Sequence, residues 1–260
     1  ICDSFYILFF LFICSLMPEV HNFPTSCKST KKTGSVGDIL KKIIACVLFI
    51  DIWCDMVNLL SLYRTITIII MQDIINGRCG WCGSDELYVK YHDQEWGKLV
   101  TDDKTLFEFL VLESAQAGLS WITILKKREG YRKAFCNFDA ESVAQMTDED
   151  VERLMHFDGI VKNRLKIKST ITNARLFLAV QKEFGSFYDY TLSFFPDRKP
   201  IVNTFQSLSE IPVSSPESDA MSKDMKKRGF KFFGTTICYA HLQASGFMND
   251  HLADCICRKR

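Results

Sequence analysis

The stretch RCGWCGSDELYVKYHDQEWG, residues 78–97, sets the terms on which the rest of the chain is read. Its twenty residues hold two cysteines, a histidine, two tryptophans and two tyrosines. Cys79 and His92 are both good zinc ligands, but two ligands leave a tetrahedral shell half open. His251 and Cys255, near the other end of the chain, are the best candidates to complete it. A metal held by that set would tie the start of the folded domain to its end.

Composition narrows the classes. A chain of 260 residues, 47% hydrophobic, suits one large domain or two small ones with an ample core. The formal net charge of +1 names no partner, yet basic residues cluster at 126–128, 161–168, 226–231 and 258–260. Such clusters are either solvated helix faces or surfaces for a phosphate backbone. Eleven cysteines, odd in number and irregular in spacing, argue against a secreted disulfide framework and for reduced thiols, some of them metal-bound. A reducing compartment follows, cytoplasm or nucleoid/nucleus, with organelle targeting by residues 1–75 left open.

Residues 1–77 read as a separate extension, apolar and basic. Phe5 to Met17 is almost wholly apolar but shorter than the roughly 20 residues a membrane span needs. It lacks the basic start of a signal peptide. Asp51, Asp55 and Arg64 interrupt the second apolar run, each costing about 2.5–3.5 kcal/mol at mid-membrane. Membrane association is therefore not expected. Of an anchor, a targeting leader and upstream sequence foreign to the working protein, the last is favoured. Met71 is then the candidate start, and residues 78–260 form the functional domain.

From Thr101 onward the pattern is helical. Thr101 or Asp102 caps a helix on which Leu106, Phe109, Leu110, Glu113 and Ala117 share a face, and Gly118 breaks it before Trp121. Glu113 is a carboxylate within an apolar stripe. It is either half-exposed at the stripe's edge or buried and aimed at a ligand, because a buried charge needs a partner. Two short helices with acidic first turns follow. FDGIVKNRLKIKSTITNARLFLAV then reads as a tight turn at Asp158-Gly159 leading into a long basic helix. That is the plan of a helix-hairpin-helix, whose free N–H groups hold a DNA phosphate, and also of an ordinary helical hairpin, which this stretch alone favours. Residues 185–213 hold three of the six prolines and are expected to be irregular. Ser215-Pro216 starts a helix that Gly229 ends, another runs from Thr235 to near Gly246, and a final helical turn carries His251 and Cys255 four apart. The core reads as all-α.

Two ligand sets stay open on residues alone. Cys79, Cys82, Cys255 and Cys257 would make an all-thiolate site, and Cys79, His92, His251 and Cys255 a mixed one, slightly preferred for its i, i+4 pair.

Six motifs in order resemble the DNA-3-methyladenine glycosylase I family: RCGW at 78–81, YHDQEWG at 91–97, ESAQAGLSWITILKKRE at 113–129, GIVKNRLKI at 159–167, KKRGFKFFGTTICY at 226–239, and NDH at 249–251 with Cys255. The resemblance covers about residues 78–257 and leaves 1–77 without a counterpart. It implies an all-α fold of the helix-hairpin-helix glycosylase superfamily and one structural zinc on Cys79, His92, His251 and Cys255. It also implies a pocket in which Glu113 is the catalytic group and Tyr88, Tyr91 and Trp121 bind the damaged base. The hairpin's Gly159 and Lys162 become the DNA-phosphate contacts, with Leu165 a departure where small or polar residues are common. The implied activity is hydrolysis of the N-glycosidic bond of 3-methyladenine in alkylated double-stranded DNA. The protein is expected to act as a monomer with no obligate protein partner. The rivals are a zinc-stapled helical DNA-binding module without catalysis and a membrane-attached interaction protein resting on residues 1–75.

Overall fold

A computed structural model describes residues 73–258. The apolar runs of the N-terminal extension, Met71 included, lie outside the described residues. The fold begins with a two-residue hairpin. Strands β1 (Ile74–Ile75) and β2 (Arg78–Cys79) pair antiparallel with Ile74 opposite Cys79. Asn76 and Gly77 turn between them at φ 51° and 75°, the left-handed pair that Asn-Gly supplies most readily. Helix α1 (Glu86–Gln94) follows, its first turn capped by the Asp85 carboxylate, which accepts from the Leu87 N–H.

Helix α2 (Asp103–Gln116) is the hub. The Asp102 side chain accepts from the Thr105 N–H at its start, and every residue from Leu106 to Ala115 is buried. The apolar stripe is therefore only part of what the helix buries, and Ala117 lies just past its end. A sharp break at Gly118, φ +79°, separates it from α3 (Trp121–Ala134). Short helices α4 (Ala140–Ala144) and α5 (Asp148–Met155) carry acids in their first turns, which suits the helix dipole. The turn at Asp158-Gly159 then leads to the long helix α6 (Arg164–Phe184), capped by Asn163. Here the hairpin backbone lies directly on α3. A Cβ on Gly130 would sit 2.0 Å from the Gly159 carbonyl oxygen, and one on Gly159 would meet both Phe157 and Gly130.

The stretch 185–213 is less irregular than its prolines suggest. It contains helix α7 (Phe187–Leu192), whose Phe187 ring stacks on Phe177 of α6 at 4.4 Å. Full burial of a phenylalanine contributes about 1.5–3 kcal/mol, and Tyr190, Thr191 and Leu192 of the same six-residue helix are buried with it. Strand β3 (Ile201–Val202), helices α8 (Pro216–Arg228) and α9 (Thr235–Ala244), and strand β4 (Met248–Asn249) complete the order, with β3 and β4 parallel. Helices α3, α6, α7 and α9 all pack on α2. The last described residues correct one expectation: His251 and Cys255 flank a turn at Ala253-Asp254 and are not on a helix. The Asn249 side chain accepts from the His251 N–H at 3.2 Å, and the Asp250 carboxylate accepts from Asn203, Tyr239 and Gln243. Among the described residues no helix is long and apolar enough to cross a membrane.

Candidate active site and metal cluster

Glu113 sits in the last turn of α2, 3% exposed, on the wall of a cavity of about 310 Å³. Tyr88 and Tyr91 come to that cavity from α1, one turn apart, and Trp121 from the first residue of α3. The break at Gly118 is what brings Trp121 back to Glu113. All four residues named from the sequence thus meet. Two ring pairs form the walls: Tyr91 on Trp121 at 5.4 Å between centroids, and Tyr88 on Trp81 at 5.1 Å. Trp81, Trp96, Gln116 and Gln243 also line the cavity and were not singled out by sequence. Gln116 had a signal, since it lies three residues after Glu113 on the same helix. Trp81 had only its place two residues after Cys79.

Several polar groups at and beside the cavity lack hydrogen-bond partners among the described residues, although Gln243 donates to Asp250. Burial alone pushes the Glu113 carboxyl up to about 8, so at neutral pH it holds its proton. The indole N–H of Trp121 and the Ser114 hydroxyl are buried without a hydrogen bond among the described residues. Burial, and then the nearby Glu113 charge, also raises Tyr91. Each such group costs stability unless something else satisfies it.

Directly behind this wall lies the second cluster. The donor atoms of Cys79, His92, His251 and Cys255 all fall within 4.8 Å of one another, and all four residues are buried. The Cys255 sulfur lies 3.5 Å from His92 Nε2 and 3.4 Å from His251 Nδ1, and the Cys79 sulfur 3.7 Å from His251 Nδ1. A tetrahedral metal with zinc-like bond lengths separates sulfur from nitrogen by about 3.6 Å. The four donors therefore fit such an ion. The outer atoms of both rings are engaged. His92 Nδ1 meets Asp93 at 2.8 Å and His251 Nε2 meets the Trp96 carbonyl at 3.0 Å, which leaves the other nitrogens aimed inward. Arg78 in turn grips Asp93 through two nitrogens at 2.8–3.0 Å and holds its carboxyl down at about 2. Of the two thiols, Cys255 is pushed down by the hydrogen bond with Cys79 and then by both histidines. Cys79 is pushed up by the same bond and by burial. Cys82 is not part of this group, and Cys257 belongs to a neighbouring one with His92 and Asp93.

The hairpin residues stand apart from both clusters. Gly159 is half-buried against α3, and Lys162 is exposed with its ammonium on the Asp158 carboxylate. Lys166, one turn along, donates to the carbonyls of Ala115 and Ala117 at 2.9 and 2.7 Å, capping the end of α2.

A family model described as methyladenine glycosylase matches residues 81–259. The chain belongs to the methyladenine glycosylase family. Among similar proteins of this family is DNA-3-methyladenine glycosylase 1 of Escherichia coli (strain K12). It is 53% identical over 180 residues, 69% of this chain and 96% of the relative. A crystal structure of 3-methyladenine DNA glycosylase I superposes with a TM-score of 0.67 at 52% identity, covering 69% of this chain and 98% of that one. A tyrosine-to-phenylalanine variant of 3-methyladenine DNA glycosylase I, in complex with 3-methyladenine, gives 0.68 at 38% identity, covering 71% and 98%.

Proposed function

We propose that this chain hydrolyses the N-glycosidic bond of 3-methyladenine in alkylated double-stranded DNA. The observation that carries the reading is Glu113, a buried carboxyl set among aromatic rings and without a hydrogen-bond partner among the described residues. Membership of a family whose relatives carry that activity in their names supports it.

Methylation at N3 makes the adenine ring cationic and weakens its bond to deoxyribose. When that bond breaks, its electron pair neutralises the ring, so the base leaves as neutral 3-methyladenine without a proton donor. Water adds to the sugar carbon and releases its proton to solvent. The protein's tasks are to extrude the base, at a cost of a few kcal/mol, and to hold it. Tyr88 and Trp121 offer ring faces, worth about 0.5–2 kcal/mol toward a cation beyond stacking. Glu113 accepts the base's N–H groups, and a cation in the cavity draws the carboxyl into its ionised form. Tyr91 supplies a second polar contact. At the hairpin, Gly159 and Lys162 receive a phosphate once Lys162 releases Asp158, an exposed pair of little energetic weight.

Cys79, His92, His251 and Cys255 hold one structural zinc. The ion supplies no chemistry to the reaction; it fastens β2 and α1 to the C-terminal turns. The enzyme works as a monomer, its catalytic domain lies within residues 71–260, and the residues before Met71 are dispensable.

Release of free base from methylated DNA, separated by chromatography, tests this with the full chain and with residues 71–260. Both are expected to release 3-methyladenine. Failure of both overturns the activity, and release by the full chain alone overturns the domain assignment.

A further inference from the structure

The segment GFKFFG, residues 229–234, is held more firmly than an idle connection between α8 and α9 requires. Phe230 and Phe233 are buried, while Lys231 and Phe232 face outward, Phe232 at 37% exposure. The fully buried Asn173 amide donates to the Lys231 carbonyl and accepts from its N–H, both at 2.9 Å. Ser222 donates to the Phe233 carbonyl at 3.1 Å. Phe232 itself is left-handed, φ +53°, which bulky side chains rarely adopt. Strain of this kind persists only where the surroundings over-determine it.

This pair faces the start of α6. Leu165, 68% exposed, Lys168, Ser169 and Thr172 line with Lys231 and Phe232 a shallow cleft of about 360 Å³. Among the described residues Lys231 forms no ion pair, and Lys168 has only the exposed Asp148, at 2.7 Å. The start of α6 connects the cleft to the hairpin and, through Lys166, to the end of α2 beside the base cavity. Leu165 lies two residues past the Asn163 cap, and its neighbour Lys166 reaches the carbonyls on either side of Gln116, a cavity residue. Cations beside exposed apolar groups match a nucleic-acid backbone, where charged phosphates alternate with apolar sugar faces.

We propose that this cleft is a second DNA contact, taking the phosphodiester backbone of the duplex beside the lesion. Lys231, joined by Lys168, pairs with a phosphate, and Phe232 and Leu165 lie against the deoxyribose. The proposal rests on the DNA substrate proposed above. The fixed loop makes the contact pre-organised, so little ordering is needed on binding.

Affinity of the full chain for an unmodified duplex, measured against salt, tests it. Lys231→Ala is expected to bind severalfold more weakly, with the log–log salt slope reduced by about 0.9. Lys231→Arg should keep both. Phe232→Ala should lower affinity severalfold with the slope unchanged. Phe232→Gly relieves the left-handed backbone, so it should hold or raise the melting temperature while still weakening binding. Single-turnover excision at saturating protein should be unchanged in all four. Wild-type affinity and slope in both alanine variants would overturn the contact, as would affinity loss that merely tracks lost thermal stability. If the chain excises 3-methyladenine while these variants are silent, only this contact falls. A chain that binds duplex through Lys231 but releases no base keeps the contact and sinks the glycosylase reading.

Discussion

Two buried polar regions stand back to back and share a wall, yet they treat their polar atoms in opposite ways. In the Cys/His cluster both rings spend their outer nitrogens on Asp93 and the Trp96 carbonyl and turn the inner ones to the sulfurs. At the cavity, Glu113 and the Trp121 indole have no such partners among the described residues, nor has the Ser114 hydroxyl next to Glu113 in the chain. The wall is thin: Tyr91 and His92 are consecutive, and Trp96 lines the cavity with its ring while its carbonyl accepts from His251. Satisfied burial stabilises a fold. Unsatisfied burial destabilises it, and the same deficit draws in a complementary ligand.

Variants on the two sides should therefore move stability in opposite directions. The largest effect belongs to Cys255→Ser. Structural zinc contributes about 10–16 kcal/mol in small zinc domains, so this change should release the metal and lower the melting temperature by at least about 10 °C. Metal analysis and a thermal melt read both, and a variant that keeps one ion and its melting point would remove the metal from the fold.

Glu113→Gln should do the reverse to stability while damaging function. Single-turnover excision should fall by about a hundredfold or more. The folded carboxyl titrates at about 8, above its unfolded value of about 4.3. Its contribution is thus fully present below the unfolded value and is lost as pH rises through 8. Glutamine does not titrate, so the variant should melt several degrees above the wild type at pH 8 and level with it near pH 4. Wild-type kcat/KM should climb with pH through about 8, a limb absent in the variant. Undiminished excision would take Glu113 out of the mechanism, and a pH-independent stability difference would deny its buried carboxyl.

Asp93→Asn probes the cluster at lower cost. Loss of the charge that Arg78 holds beside His92 should weaken metal affinity about 10–100-fold in a chelator competition. The metal-loaded variant should excise normally. Unchanged affinity would show that the His92 ring is oriented without Asp93.

Much of the scaffold was legible because its signals are local. Asp102, Ser215 and Gly229 mark helix ends where the structure has them, and Gly118 breaks the chain between α2 and α3. Periodicity singled out Glu113 as a carboxylate within an apolar stripe but left its role open; family likeness supplied Tyr88 and Tyr91 and the reading of all four as a pocket. A helix buried on every side, as α2 is from Leu106 to Ala115, gives no exposed face against which the burial of one carboxylate stands out. Other features depend on distant partners. Helix α7 persists because Phe187 stacks on Phe177, and β4 because β3 lies beside it. The His251–Cys255 spacing suggested a helix, whereas a turn at Ala253-Asp254 brings the same atoms together. The Asn76-Gly77 hairpin was readable in principle, but it lay upstream of the boundary drawn at Arg78.

The contact between Gly130 and Gly159 has a consequence for engineering. Main-chain atoms meet main-chain atoms there, without any side chain as a spacer, so the gap between hairpin tip and Trp121 helix works as a fixed gauge. No conservative swap can lengthen it by a few tenths of an ångström. Even alanine at position 130 must prise the two elements apart, which would move the grip on the strand relative to the slot that receives the base.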